Sequence, residues 1–103
     1  MKIIQVIPAL TVGGAEIMCE NLSYELKKKG HDVVVVSLYS MSTPISERLL
    51  SAGIKVIFLD KKRGLDFSTI KKLRNLLKKE NPDVIHTHLY ALKYAYMSMV
   101  LSK

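Results

Sequence analysis

The sequence predicts an α/β fold, an open parallel sheet of about four strands with flanking helices. Three observations predict it. Four short runs suited to strands alternate with four segments of helical periodicity, and that alternation builds successive βα units with right-handed crossovers. The first two runs are apolar on both faces, as in parallel strands covered by helices on each side. The length, 103 residues, allows one such domain and not two.

The first strand is read over residues 3–7 and ends at Pro8. A loop closed by Gly13 and Gly14 leads into a helix over about residues 15–29. Its expected buried stripe is Ala15, Met18, Cys19, Leu22 and Leu26, at the spacing of one helix face. Glu16 and Glu20 near its start, and Lys27, Lys28 and Lys29 at its end, complement the macrodipole. Gly30 fits the left-handed position that ends many helices.

Residues 32–38 form the second strand, with Val33, Val34, Val35 and Val36 in a row. Thr43 as N-cap and Pro44 at the first helical position start a short helix to about residue 51, stopped by Gly53. Residues 54–59 read as the third strand and 60–64 as a charged turn. The third helix begins near Asp66 or Ser68 and runs to Glu80. It buries Ile70, Leu73, Leu76 and Leu77 and keeps Lys71, Lys72, Lys78 and Lys79 outside. Asn81 and Pro82 end it. DVIHTH, residues 83–88, is the fourth strand, and residues 91–101 form a last helix. That helix is apolar nearly all round, interrupted by Lys93 and Ser98. It is therefore expected to pack on further polypeptide or on an oligomer partner.

Apolar residues make up 49% and charged residues 24%, a balance that excludes a disordered chain. No apolar run reaches the roughly 20 residues that cross a bilayer. Pro8 breaks the N-terminal run, which reads as a strand and not as a secretory signal. One cysteine, Cys19, forms no internal disulfide, so a reducing cytoplasm is the default expectation. The net charge of +7 allows nucleic acid, an anionic membrane surface or a small anionic substrate as partner. Solvated helix ends and faces are the simplest account of each basic cluster, Lys61, Lys62 and Arg63 included. The clusters lack interleaved aromatics, which disfavours nucleic acid.

KIIQVIPALTVGGAE, residues 2–16, is the stretch around which the chain is arranged. A helix N-terminus offers unpaired N–H groups and partial positive charge, a natural seat for an anion. Gly13 and Gly14 let a ligand approach the main chain closely and allow positive φ. In open parallel sheets ligands bind outside the carboxyl ends of the strands, at the switch point. The glycine loop and the end of the fourth strand both lie on that edge. Glu16 either favours the helix N-terminus or lines the site.

His86 and His88 fall on one face of the fourth strand, about 7 Å apart along it. A zinc site needs further ligands, and neither His31 nor Cys19 is placed to supply them, so no metal is expected. His86 reads equally as a core residue or a site residue. His88, nearer the strand end, is the better ligand contact, and Tyr90 reads as a platform or as packing. Cys19 has no base beside it, and no G-x-S-x-G elbow is present. TVGGAE is not G-x-G-x-x-G, no acid ends the second strand, and there is no P-loop.

P-x-L-x-x-G-G-A-E after the first strand, K-x-G-H-D-V-x-V opening the second and N-P-D-V-I-H-T-H on the fourth resemble the N-terminal domain of family-4 glycosyltransferases. Three such motifs in order span nearly the whole chain. The resemblance implies a Rossmann-like domain, the front part of a GT-B N-terminal domain. It implies a retaining, metal-independent enzyme that takes a nucleotide sugar as co-substrate and needs no cofactor. Gly13 and Gly14 match the loop facing the donor diphosphate, with Glu16 beside it. His88 and Tyr90, with His86, match the region lining a glycan, lipid or small-molecule acceptor. The family's catalytic histidine and its nucleotide-binding domain would come after Lys103, so the chain alone is expected to be inactive. Its basic surface suits the inner face of an anionic membrane. The alternative is a non-catalytic basic α/β module that binds a phosphorylated ligand or nucleic acid.

Overall fold

Four parallel strands lie in the order β3-β2-β1-β4 in the computed structural model, which describes residues 1–11 and 13–101, apart from the side chains of Val100 and Leu101. The strands are β1 (Lys2–Ile7), β2 (Asp32–Ser37), β3 (Lys55–Phe58) and β4 (Val84–Thr87). The helices are α1 (Gly14–Lys28), α2 (Pro44–Ser51), α3 (Phe67–Glu80) and α4 (Ala91–Leu101). The α/β open parallel sheet is thus the fold, with strand ends differing from the sequence reading by one residue. The ladder continues past those ends, with Leu38 donating to the Ile7 carbonyl, Leu59 to Ser37 and His88 to Val6.

The chain runs outward from β1 to β2 and β3, then returns to place β4 on the other side of β1. Ile4 pairs with Val34 on one flank and Ile85 on the other. The direction of winding therefore reverses between β1 and β4, which sets the crevice at their carboxyl ends.

Alternation along the strands divides the core in two. Ile4, Val6, Val34 and Val36 pack against Ile70, Leu73 and Leu77 of α3 and Tyr94 and Ala95 of α4. Ile7, Val33 and Val35 face Cys19 of α1 and Ile45 and Leu49 of α2. Each fully buried aliphatic side chain contributes about 1.5–3 kcal/mol.

The caps follow from local chemistry. The Thr43 hydroxyl accepts from the Ser46 amide while Ser46 Oγ accepts from Thr43, a closed capping box. Asp66 caps α3, accepting from the Ser68 and Thr69 amides. Gly30, at φ +92°, ends α1 as the sequence suggested.

The stripe of α1 departs from expectation. Met18 is 63% exposed, while Glu16, Cys19, Glu20 and Ser23 are buried. The reason lies under the helix. Gln5 of β1 is wholly buried and gives α1 a polar contact, so the helix turns its polar side inward there. Its amide nitrogen donates to the Cys19 carbonyl (3.1 Å) and to Ser23 Oγ (2.5 Å). Glu20 meets Arg48 of α2 in a two-pronged ion pair, 2.7 and 2.9 Å. Helix α4 buries Ala91, Tyr94, Ala95 and Ser98, leaving Leu92, Tyr96 and Met99 exposed beside the free edge of β4.

Candidate functional site

The end of β1 and the end of β4 are adjacent, so the glycine turn and His88 share the crevice edge. The His88 amide donates to the Val6 carbonyl at 2.9 Å. Val12 lies outside the described residues. Gly13 is the N-cap of α1, with extended backbone at φ −160° and no side-chain cap. Neither Gly13 nor Gly14 uses positive φ. Their glycine character serves space instead. A Cβ on Gly13 would come within 2.9 Å of the Glu16 carboxylate, whereas a Cβ on Gly14 would meet nothing within 4 Å. Among the described residues, no protein group accepts from the Gly14, Ala15 and Glu16 amides. Gly14 thus presents open main chain at a helix N-terminus.

Glu16 takes the place at the helix N-terminus that the sequence offered it. It sits in the first turn of α1, and its buried carboxylate accepts from Thr11 Oγ1 at 2.6 Å. A carboxylate in that place offsets part of the positive end of the helix.

The two histidines converge through a residue that sequence reasoning passed over. Gln5 Oε1 lies 3.2 Å from His86 Nδ1 and 2.8 Å from His88 Nε2. The ring centroids are 4.4 Å apart, closer than strand spacing suggested. Because the Gln5 nitrogen is committed to a carbonyl, its oxygen must face the rings, and it can only accept. His86 therefore carries its proton on Nδ1 and His88 on Nε2. Neutral His88 keeps a lone pair on Nδ1. Burial, then the neighbouring His86, hold the His88 pKa below the ordinary imidazole value, against an opposing pull from Glu16. His86 is not a core residue. It is exposed, because β4 is the edge of the sheet, while His88 is buried. The signal for this network was the one polar residue inside an otherwise apolar first strand.

Cys19 is buried, and burial pushes its thiol up to about 12, so it is no nucleophile near neutral pH. Among the described residues, no three metal-ligating side chains converge.

Tyr90 lies in a different cluster of the same edge. The turn after β3, read as a solvated charged loop, instead buries Lys61. Its ammonium donates to Tyr39 Oη (3.2 Å), the Lys62 carbonyl (2.9 Å) and the Gly64 carbonyl (2.5 Å). It stands over the rings of Tyr39, Tyr94 and Tyr90, at 4.9, 5.3 and 6.0 Å from their centroids. The aromatics missing from the sequence around Lys61 thus arrive from the loop after β2 and from the start of α4 and the turn before it. Register could have found Tyr39, since it follows β2 as Lys61 follows β3. No helix of the described residues is long and apolar enough to cross a membrane.

Comparison with known proteins agrees with this architecture. The profile of Glycosyltransferase Family 4 matches residues 12–101. The phosphatidylinositol N-acetylglucosaminyltransferase GPI3 subunits of three Saccharomyces cerevisiae strains (YJM789, RM11-1a and ATCC 204508 / S288c) are each 30% identical to the chain over 92 aligned residues. The alignment covers 82% of this chain and 20% of each relative, so the chain spans about a fifth of their length. With a parallel sheet wound about β1 and a family match over nearly all its residues, the chain belongs to glycosyltransferase family 4.

Proposed function

We propose that the chain is the acceptor-side, N-terminal part of a retaining GT-B glycosyltransferase that moves a sugar from a nucleotide-diphospho-sugar to a glycan, lipid or small-molecule acceptor. The observation that carries the reading is the open first turn of α1, whose Gly14, Ala15 and Glu16 amides have no acceptor among the described residues. Departure of a nucleoside diphosphate develops negative charge, and preorganised N–H groups stabilise it without a metal. His88, held by Gln5 with His86 beside it, is the residue this reading assigns to acceptor contact. The nucleotide-binding domain and the group at the reaction centre belong to further polypeptide, so the 103 residues alone bind but do not turn over.

The names of the yeast relatives support a nucleotide-activated N-acetylglucosamine as the first donor to try and phosphatidylinositol as the first acceptor. The exposed Lys71, Lys72, Lys78 and Lys79 support peripheral contact with an acidic membrane face. Vesicles with acidic lipid should bind the protein better than neutral ones, and equal binding removes that part.

The test is a panel of nucleotide sugars offered to the complete gene product, read as nucleotide release. One donor should stand out, and Gly14→Val should suppress its turnover. Absence of release with every donor and with acceptor lipids present would overturn the reading.

A further inference from the structure

We propose that the tyrosine-walled pocket around Lys61 binds a phosphate ester of the acceptor. This rests on the acceptor-side reading above and names the chemical class of that acceptor. The cavity holds about 310 Å³ and is lined by Tyr39, Lys61, Leu65, Tyr90, Lys93 and Tyr94. It opens on the ligand edge, because the Tyr39 amide donates to the Pro8 carbonyl after β1 and the Lys61 amide donates to Leu38 after β2.

The charge balance makes the argument. Lys61 is 7% exposed, and a buried ammonium is costly unless an acid is near. Among the described residues no carboxylate pairs with Lys61, Lys62, Arg63 or Lys93. Lys61 is held by neutral oxygens alone, with Gly64 at φ +74° turning its carbonyl toward the ammonium. All three Lys61 donors are spent on neutral oxygens, so its charge is satisfied in hydrogen bonds without a direct ion pair among the described residues.

The groups left to touch a ligand are suited to an oxyanion. Tyr39 Oη accepts from Lys61 and shares a hydrogen bond with the Tyr90 hydroxyl, so one of the two phenolic protons is left to be donated outward. The Lys61 ammonium, then the Tyr90 hydroxyl, hold the Tyr39 pKa below the ordinary phenol value, which strengthens it as a donor. Lys93 adds a second cation on the pocket wall. The exposed Tyr90 ring offers a face to the carbons of a sugar or polyol bearing the phosphate.

The experiment is a titration of the 103-residue chain followed by its backbone amide resonances. The probes are inorganic phosphate, glucose 6-phosphate and, as the uncharged control, glucose. Both phosphates should shift the amides of residues 39, 61–65 and 90–94 in a saturable way, and glucose should not. Lys61→Met should weaken phosphate about tenfold or more, and Lys93→Ala and Tyr39→Phe about threefold each. If Lys61→Met fails to fold, the other two variants decide. Vesicles of phosphatidylcholine with and without phosphatidylinositol form the second arm. Binding that needs phosphatidylinositol and falls in Lys93→Ala assigns the pocket to a lipid phosphodiester, whereas phosphate shifts without vesicle binding assign it to a soluble ester. Shifts confined to residues 13–16 overturn the pocket while leaving the diphosphate seat standing. Pocket shifts in a protein whose complete form releases no nucleotide sink the transferase reading and leave the pocket.

Discussion

The glycine turn and the tyrosine pocket lie on the same edge of the sheet but make positive potential by different means. The turn uses main-chain amides, and it carries a carboxylate of its own in Glu16, buried against Thr11. The pocket uses a side-chain ammonium that no carboxylate pairs with among the described residues, propped by carbonyls and a phenol. The first arrangement is built into a helix end and tied to the core through Gln5 and His88. The second is assembled from loop ends and tied to the core mainly through Tyr94. A site that rests on a buried polar network should be fragile as structure. A site that stores uncancelled charge should be fragile as function.

The largest expected effect breaks the first region. Gln5→Leu removes an amide that serves the Cys19 carbonyl, Ser23 and both histidine rings. It leaves a buried His88 N–H without an acceptor. The expected cost is about 2–4 kcal/mol, read from urea unfolding. A loss under about 1 kcal/mol would show that water replaces Gln5 and that the network does not organise the turn.

Gly14→Val separates ligand space from stability. Its Cβ meets no protein atom within 4 Å, and the side chain occupies the open volume in front of the first turn. Turnover of the complete enzyme should fall about hundredfold while the unfolding midpoint stays within about 1 kcal/mol of the parent. Gly13→Ala is the contrast, because its methyl must displace the Glu16 carboxylate and so perturbs both readouts. Equal behaviour of the two variants would deny any special openness at Gly14.

His88 tests the same region by pH. Its folded pKa is depressed, so the unfolded chain binds the proton more readily. The stability it contributes is fully present above the unfolded value of about 6.5 and is lost as pH falls through the folded one. The unfolding midpoint should therefore drop on acidification below about pH 6.5, and His88→Gln should flatten that slope. Nitrogen NMR should also find the proton on Nε2 of His88 and on Nδ1 of His86. The opposite tautomer at either ring would mean that Gln5 is turned the other way.

These differences also explain what could be read in the chain before its fold was known. The strands and helices were legible because Val33 to Val36, the Thr43 and Pro44 start and the Asn81 and Pro82 stop are local signals. The switch point followed from the βα order. The buried face of α1 was not legible, since Met18 and Leu22 match helical spacing as well as Cys19 does. Only the contact with Gln5, fourteen residues back from Cys19, turns the helix. The pocket was less legible still. Lys61 reads as one more surface charge until Tyr39 and Tyr94, 22 and 33 positions away, are brought beside it by sheet register and the return of α4.

The smallest expected effect is the most telling for the pocket. Lys61→Met deletes three hydrogen bonds, which by itself destabilises. It also deletes a desolvated charge that no acid neutralises, which stabilises by a comparable amount. The two should nearly cancel, leaving a change under about 1 kcal/mol in urea unfolding. Gln5 shows the other outcome, since its loss has no such offset. A buried lysine whose removal barely moves stability is held in place by selection for something other than the fold, and phosphate affinity is the quantity that should then collapse. A cost for Lys61→Met that matches Gln5→Leu would make the lysine a structural strut, and the contrast between the two regions would disappear.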